Sequence, residues 1–242
     1  MTLFETLTRE SIGSRRVIRA MLGVFSVVVE TEERTGLASC FRDPCGNYLN
    51  DFKGVGELHR ISTDTLMRGY ETGNLLQKSL AVSALNASLP DPQADYIERH
   101  GQDIIETMGT DAHVAVVGQF PFVTGLSRRV RKLTVIHEEP HEGKKGIERA
   151  RVVFPEADII VITSSAFING SIDTLLDLAS HAWVMLLGAT TPMHPLLFNY
   201  GVDVLSGIEV VDRQHVFDGV CEATPFRFLK GIRRVTWDRS AV

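Results

Sequence analysis

The spacing of apolar residues changes character near Asp111. Upstream of it the pattern is mixed. Over residues 3–21, with Leu22 just beyond, Leu3, Leu7, Ile18 and Leu22 stand among charged residues, as on one face of an amphipathic helix. Residues 24–30 (VFSVVVE) are short and β-branched, which predicts a strand. TEERTG then supplies turn residues, and residues 37–41 read as the returning strand of a hairpin. Residues 43–56 hold Pro44, Gly46, Asn47, Asn50, Gly54 and Gly56, the composition of an irregular loop. Residues 73–89 give the clearest helix of this half: Leu76, Leu80, Ala84 and Ala87 share a face, and small residues allow close packing. Pro90 and Pro92 end it. Strands followed by helices make an α+β order.

Downstream, short continuous apolar runs recur at 113–117 (HVAVV), 133–136 (LTVI), 158–162 (DIIVI), 183–187 (WVMLL) and 202–205 (VDVL). Continuous rather than alternating runs belong to parallel strands covered on both faces. Residues 172–180 and 195–200 separate the last three and are long enough for a helix or a helical turn. The predicted fold class is α/β: a Rossmann-like parallel sheet over 105–242, preceded by a smaller α+β domain over 1–104.

Composition narrows the function. The chain has 242 residues, 44% apolar and 23% charged, with a formal net charge of -5. No long basic run accompanies that charge, which argues against nucleic-acid binding by counterion release. No apolar stretch approaches the ~20 residues of a spanning helix, so no membrane attachment is expected. The N-terminal residues alternate in charge and show no secretory pattern, which predicts a cytoplasmic protein. Cys40, Cys45 and Cys221 are odd in number and too widely spaced for a zinc knuckle, and read as ordinary thiols.

In an open parallel sheet, ligands bind beyond the carboxyl ends of the strands. The residues there are GQFPFVTG from Gly118, HEEPHEG from His137, TSSAFING from Thr163, GATTPMHP from Gly188 and SGIE from Ser206. Four of the five are rich in Gly, Ser, Thr or Asn, which bring main-chain N–H groups, hydroxyls and amides to a ligand. The first loop lacks the G-x-G-x-x-G spacing, so a classical dinucleotide is disfavoured. Glu138, 20 positions after Gly118, stands near where such folds place a ribose-binding acid. Asn169 or Ser171 can cap a helix over 172–180, whose start would favour a carboxylate or phosphate. Pro192 and Pro195 stiffen the fourth loop around Thr190, Thr191 and His194. His137, Glu138, Glu139, His141 and Glu142 offer metal-ligand atoms, but Pro140 breaks any helix that would align them. A solvated acidic loop is the preferred reading of that segment, with His137, Glu139 and His141 as the weaker metal candidates.

The strand-end motifs VVGQFP, EEPHEG, PEADIIVITSSAFING and VMLLGATTPMHPLLFNYGVDVLSG, with the upstream SLAVSALNASL, resemble the putative heavy-metal chelation domain family. The resemblance spans nearly the whole chain and is most specific over 118–212. It implies an N-terminal domain like that of enolase, a Rossmann-like domain, and a site in a cleft between them. Carried over residue by residue, it implies Gly118, Phe120 and Pro121, then Thr163 and Asn169, then Gly188, Thr190, Thr191 and Pro192, faced by Asn86. The sequence departs from the family pattern at His137, where an acidic residue is expected, and at Ser164 and Ser165, where glycine and threonine are.

These readings combine into one expectation. A small anionic or metal-chelating metabolite is bound or converted, with Thr163, Ser164, Ser165, Asn169, Thr190 and Thr191 as polar partners. Glu138 or His137 is the candidate general base. Two alternatives stand beside it: an enzyme using a nucleoside cofactor of the S-adenosylmethionine type, and a metal-binding protein without catalysis. The cofactor is accordingly unassigned, with a metal ion or a nucleoside both compatible. The expected partner is a small molecule, and a homodimer is compatible with the sequence.

Overall fold

The computed structural model describes residues 1–42, 52, 54–91, 96–97, 100–137 and 143–241. The expected loop at 43–56 lies mostly outside the described residues, as does Cys45. In chain order the first elements are α1 (Leu3–Glu10), β1 (Arg19–Leu22), β2 (Ser26–Glu30), β3 (Thr35–Ser39), α2 (Thr63–Thr72) and α3 (Leu75–Ser88). Next come α4 (Gly101–Met108), β4 (His113–Val117), α5 (Val123–Leu126), β5 (Lys132–Ile136), α6 (Gly143–Val153) and β6 (Ile159–Thr163). The last are α7 (Ala166–Asn169), α8 (Ile172–Leu178), β7 (Trp183–Leu187), β8 (Val204–Val210), α9 (Arg213–Cys221) and β9 (Ile232–Asp238).

The chain divides into two compact units. The first holds Met1–Asp91, Pro192–His194 and Ile208–Arg233; the second holds Pro92–Thr191, Pro195–Gly207 and Arg234–Val242. Two sheets are present, one of three strands in the order β1-β2-β3 and one of six in the order β5-β4-β6-β7-β8-β9.

In the first unit the expected long N-terminal helix is corrected. Thr2 and Glu5 form a reciprocal cap at its start, but α1 stops at Glu10. Gly13 has φ +58°, a turn that a helix does not contain, and the chain re-emerges as edge strand β1. The predicted hairpin is present, with Val28 opposite Leu37 and Glu30 opposite Thr35. Strand β2 is buried throughout, because α3 packs against it and α9 packs against β1 and β2 as well. Small residues on α3 let the helix approach closely: the buried Ser83 hydroxyl donates to the carbonyls of Gly36, at 3.0 Å, and Val27, at 3.3 Å. Glu30, buried, accepts from Arg19 Nε at 2.5 Å and from Arg213 at 3.3 Å. Arg213 also donates to the carbonyls of Thr31, Glu32 and Glu33, which ties the start of α9 to the hairpin turn. A buried carboxylate left without such partners would be strongly destabilising.

In the second unit, β4 pairs in parallel with β5 and β6, β6 with β7, and β7 with β8. All five predicted strands are present; β8 starts two residues later than its apolar run and extends to Val210. A sixth strand, β9, lies beside β8 and was not foreseen, since Arg233 and Arg234 interrupt its apolar run. Val114, Val116, Ile159, Val161, Met185 and Val204 form one face with Ile105 of α4 and Leu126 of α5. The alternating residues Ala115, Val117, Ile160, Ile162, Val184, Leu186 and Leu205 are buried too, so both faces of the central strands are covered.

The closest helix–strand approach gives a direct test. A Cβ at Gly36 would stand 2.1 Å from the Ser83 carbonyl oxygen and 2.4 Å from the Ala87 nitrogen, both main-chain atoms. Gly36→Ala is expected to cost about 3 kcal/mol in urea denaturation. Gly125→Ala, with nothing within 4 Å of its Cβ, should stay within about 0.5 kcal/mol of the parent. Equal stability of the two variants would contradict the packing.

Candidate functional site

Counted along the chain, the six strands of the large sheet run in the spatial order 2-1-3-4-5-6. The direction of winding therefore reverses between β4 and β6, the place where doubly wound sheets open a ligand crevice. Three strand ends, those of β4, β6 and β7, lie side by side around that point. Gly118 follows β4 with φ +108°, and a Cβ on it would stand 2.8 Å from Thr163 Cβ at the end of β6. Gly188 follows β7 with φ +141°, and a Cβ there would stand 2.5 Å from Ser164 Oγ. The Gly188 N–H in turn donates to the carbonyl of Ser206 in β8 at 3.0 Å. Both glycines therefore serve two ends: a backbone conformation that L-residues avoid, and a close approach of neighbouring tips.

The polar candidates divide by what their side chains already do. The Thr163 and Ser165 hydroxyls bond each other at 2.7 Å. The Thr191 hydroxyl donates to the carbonyls of Gly188, at 2.8 Å, and Ser206, at 3.0 Å, which fixes the fourth loop. Asn169 Oδ1 accepts from the Ser171 N–H at 3.0 Å, a turn that joins α7 to α8. Ser171 occupies the cap position of α8 without a side-chain capping bond, and α8 has seven residues, two fewer than expected. Thr190, Thr191 and Pro192 are buried. Ser164 is 1% exposed; its N–H donates to Leu187, its carbonyl accepts from Phe167, and its hydroxyl packs against Gly188.

Phe120 stacks on Phe122 with ring centres 5.2 Å apart, and both rings also pack on the core of the second unit. Pro121 is exposed beside them. His137, at the end of β5, is exposed and has Nδ1 3.5 Å from Gln119 Nε2. Glu138, Glu139 and His141 lie outside the described residues, as does Glu142. Asn86 belongs to the first unit, where its amide donates to the Leu37 carbonyl at 3.0 Å. Ser206 carries more than its place in the sequence suggested. Its carbonyl anchors both Gly188 and Thr191, and its hydroxyl accepts from Thr236 at 3.3 Å. The expected fifth strand-end loop from Ser206 is corrected: residues 206–209 lie within β8, which runs on to Val210.

Among the described residues, no three His, Cys, Asp or Glu side chains converge as ligands of a metal would. The Cys40 thiol is held above its usual pKa by burial, against the pull of Arg42, so the reactive thiolate is disfavoured. His194 is buried, and desolvation holds its pKa below the usual histidine value while Glu10 opposes the shift. A shallow depression lined by Asp103, Glu106, Thr107, Thr110 and Arg129 lies near the amino ends of β4 and β5. Glu106 and Arg129 pair there, so its central charges cancel.

The fold is that of a two-unit α/β protein, with a mostly parallel six-stranded sheet and a separate three-stranded antiparallel sheet. The chain belongs to the DUF364 family, described as "putative heavy-metal chelation", which matches residues 102–237. A second family of the same description, DUF4213, matches residues 5–89. Among solved structures, a protein of unknown function from Desulfitobacterium hafniense DCB-2, of the DUF364 family, is similar: TM-score 0.79, 22% identity, with 98% of this chain and 96% of that one covered. A protein of unknown function from Pyrococcus horikoshii, of the same family, gives a TM-score of 0.77 at 17% identity, with 97% of each chain covered. No curated protein matches. Among the described residues, no helix is long and apolar enough to cross a membrane.

Gly118→Ala tests the convergence. It combines a strained φ with a contact to Thr163 that cannot be relieved by a flexible side chain, and is expected to lower stability by about 2 kcal/mol. A Thr163→Gly change in the same chain should recover part of that loss. Additive losses, measured by denaturant titration, would place the two tips apart.

Proposed function

We propose that this protein binds a small, oxygen-rich, metal-chelating anion at the carboxyl ends of β4, β6 and β7. The observation that carries this reading is the pair of glycines, Gly118 and Gly188, that press two neighbouring strand ends against the Thr163–Ser164 tip at the switch point. The Gly118 and Gly188 N–H groups are themselves bonded to the Ile136 and Ser206 carbonyls, so the polar wall is supplied by the tip residues that follow them and by their hydroxyls. The tip residues Gly118–Phe122, Thr163–Ser171 and Gly188–Pro195 contain no Lys or Arg. Charge on the ligand is then met by neutral donors and, when the ligand carries a metal, by the metal itself.

The family description concerns heavy-metal chelation. In this reading the small molecule supplies the atoms that hold the metal, and the protein holds the small molecule. Metal ligation by His137 and His141 is the competing account.

The test is native mass spectrometry and metal analysis of protein purified without chelator. The expected result is a small molecule retained by the folded protein and displaced by millimolar citrate. A His137→Ala/His141→Ala double change should leave that retention within about twofold. Stoichiometric bare metal, lost on the double change, would overturn the reading in favour of direct ligation.

A further inference from the structure

We infer that Asn169 and Gly170 form a self-modifying site, at which the Gly170 nitrogen closes on the Asn169 side chain, expels ammonia and leaves a carboxylate in the tip after β6. The chemistry needs no ligand and no second enzyme; its consequence for binding rests on the reading above.

Asparagine is a thermolabile residue, and glycine after it leaves the attacking nitrogen unshielded by a side chain. Residues 169–170 are the one Asn-Gly pair in the sequence. A fold slows this ring closure when it buries the pair or ties up the attacking N–H. Neither holds here. Gly170 is exposed, and a Cβ built on it would meet nothing within 4 Å. It ends helix α7 with φ +78°, and its N–H makes no hydrogen bond among the described residues.

The Asn169 side chain is turned toward that nitrogen. Its Oδ1 accepts from the Ser171 N–H at 3.0 Å. A side-chain oxygen bonded two residues ahead folds the amide back over the residue between, which is Gly170. The same bond draws electrons from Cγ, the atom under attack. Nδ2, the leaving nitrogen, has no hydrogen bond among the described residues. The other described asparagines lack the combination. Asn74 and Asn86 are bonded through their side chains and precede Leu75 and Ala87, and Asn199 is exposed but precedes Tyr200.

In the reaction the Gly170 N–Cγ bond forms and the Cγ–Nδ2 bond breaks, and Nδ2 leaves as ammonia with the proton from the Gly170 nitrogen. Water then opens the cyclic imide. Opening at Cγ gives Asp; opening at the main-chain carbonyl gives isoaspartate, with the chain routed through Cβ between α7 and α8. Either product carries a carboxylate. The tip residues 118–122, 163–171 and 188–195 contain no Asp or Glu, so this is the first acid among them and it repels an anionic ligand.

The experiment ages the folded protein in mildly alkaline buffer and follows each asparagine by peptide mass and by chromatography for isoaspartate. Asn169 is expected to convert severalfold faster than Asn74, Asn86 or Asn199. Gly170→Ala, with its Tm measured to show that it is folded, should convert severalfold more slowly than the parent. An Asn169 that stays intact in the folded protein and converts only after denaturation would overturn the inference, and so would equal rates in parent and Gly170→Ala. Asn169→Asp then tests the consequence: citrate, titrated by calorimetry, should bind it severalfold more weakly than the parent. Equal affinity would overturn the consequence and leave the modification standing. If citrate does not bind the parent, the binding reading and the consequence fall together, and the mass measurement alone decides the modification.

Discussion

Parallel strands in matched register must end together, and most of what this protein offers chemically follows from that. Val117 stands beside Ile162, and Thr163 beside Leu187, so β4, β6 and β7 stop within a residue of one another. Their flanks are buried in hydrocarbon on both faces, which leaves the ends as the natural outlet for polar residues. The chain then has to turn sharply three times in a small area. Gly118 and Gly188 make two of those turns with positive φ, and the Thr163–Ser165 hydroxyl pair shapes the third. The crowding that makes these tips expensive to alter is the same feature that brings their polar atoms into one place.

The first unit rests on a different constraint. Its central strand β2 has no solvent face, and it is covered partly by residues from far along the chain. Helix α9 is held there by Arg213, which donates to Glu30 and to three carbonyls of the hairpin turn. Arg19 joins the same carboxylate, and its guanidinium lies 3.9 Å from the centre of the Phe217 ring. A buried acid shared by two arginines is stable only while both elements stay in place, so α9 and the hairpin support each other.

Much of this was legible in the residues. HVAVV and WVMLL mark β4 and β7 to the residue, because a strand covered on both faces reads as a nearly continuous apolar run. α3 was equally plain as a helix from its Leu and Ala spacing, although the fold buries it on nearly every side, Ser79, Ala81, Val82 and Ser83 included. The failures share a cause as well. Residues 11–18 continue an apparent helical pattern through Gly13, and periodicity alone does not register the break that its positive φ makes. β9 carries two adjacent arginines in its exposed part, and α9 buries its face only after the chain has returned to the first unit. At the candidate site, composition pointed to the loops that follow β4, β6 and β7. It could not show that the Thr163, Ser165 and Thr191 hydroxyls are already bonded within the fold, because that depends on the turn geometry and not on the residue type.

The central claim is that three strand tips form one binding surface. Amide hydrogen exchange, followed with and without citrate, tests it most directly. The account predicts joint protection of residues 118–122, 163–169 and 188–192, with little change at residues 103–110. Protection confined to a single tip, or centred on the depression at the amino ends of the strands, would contradict it.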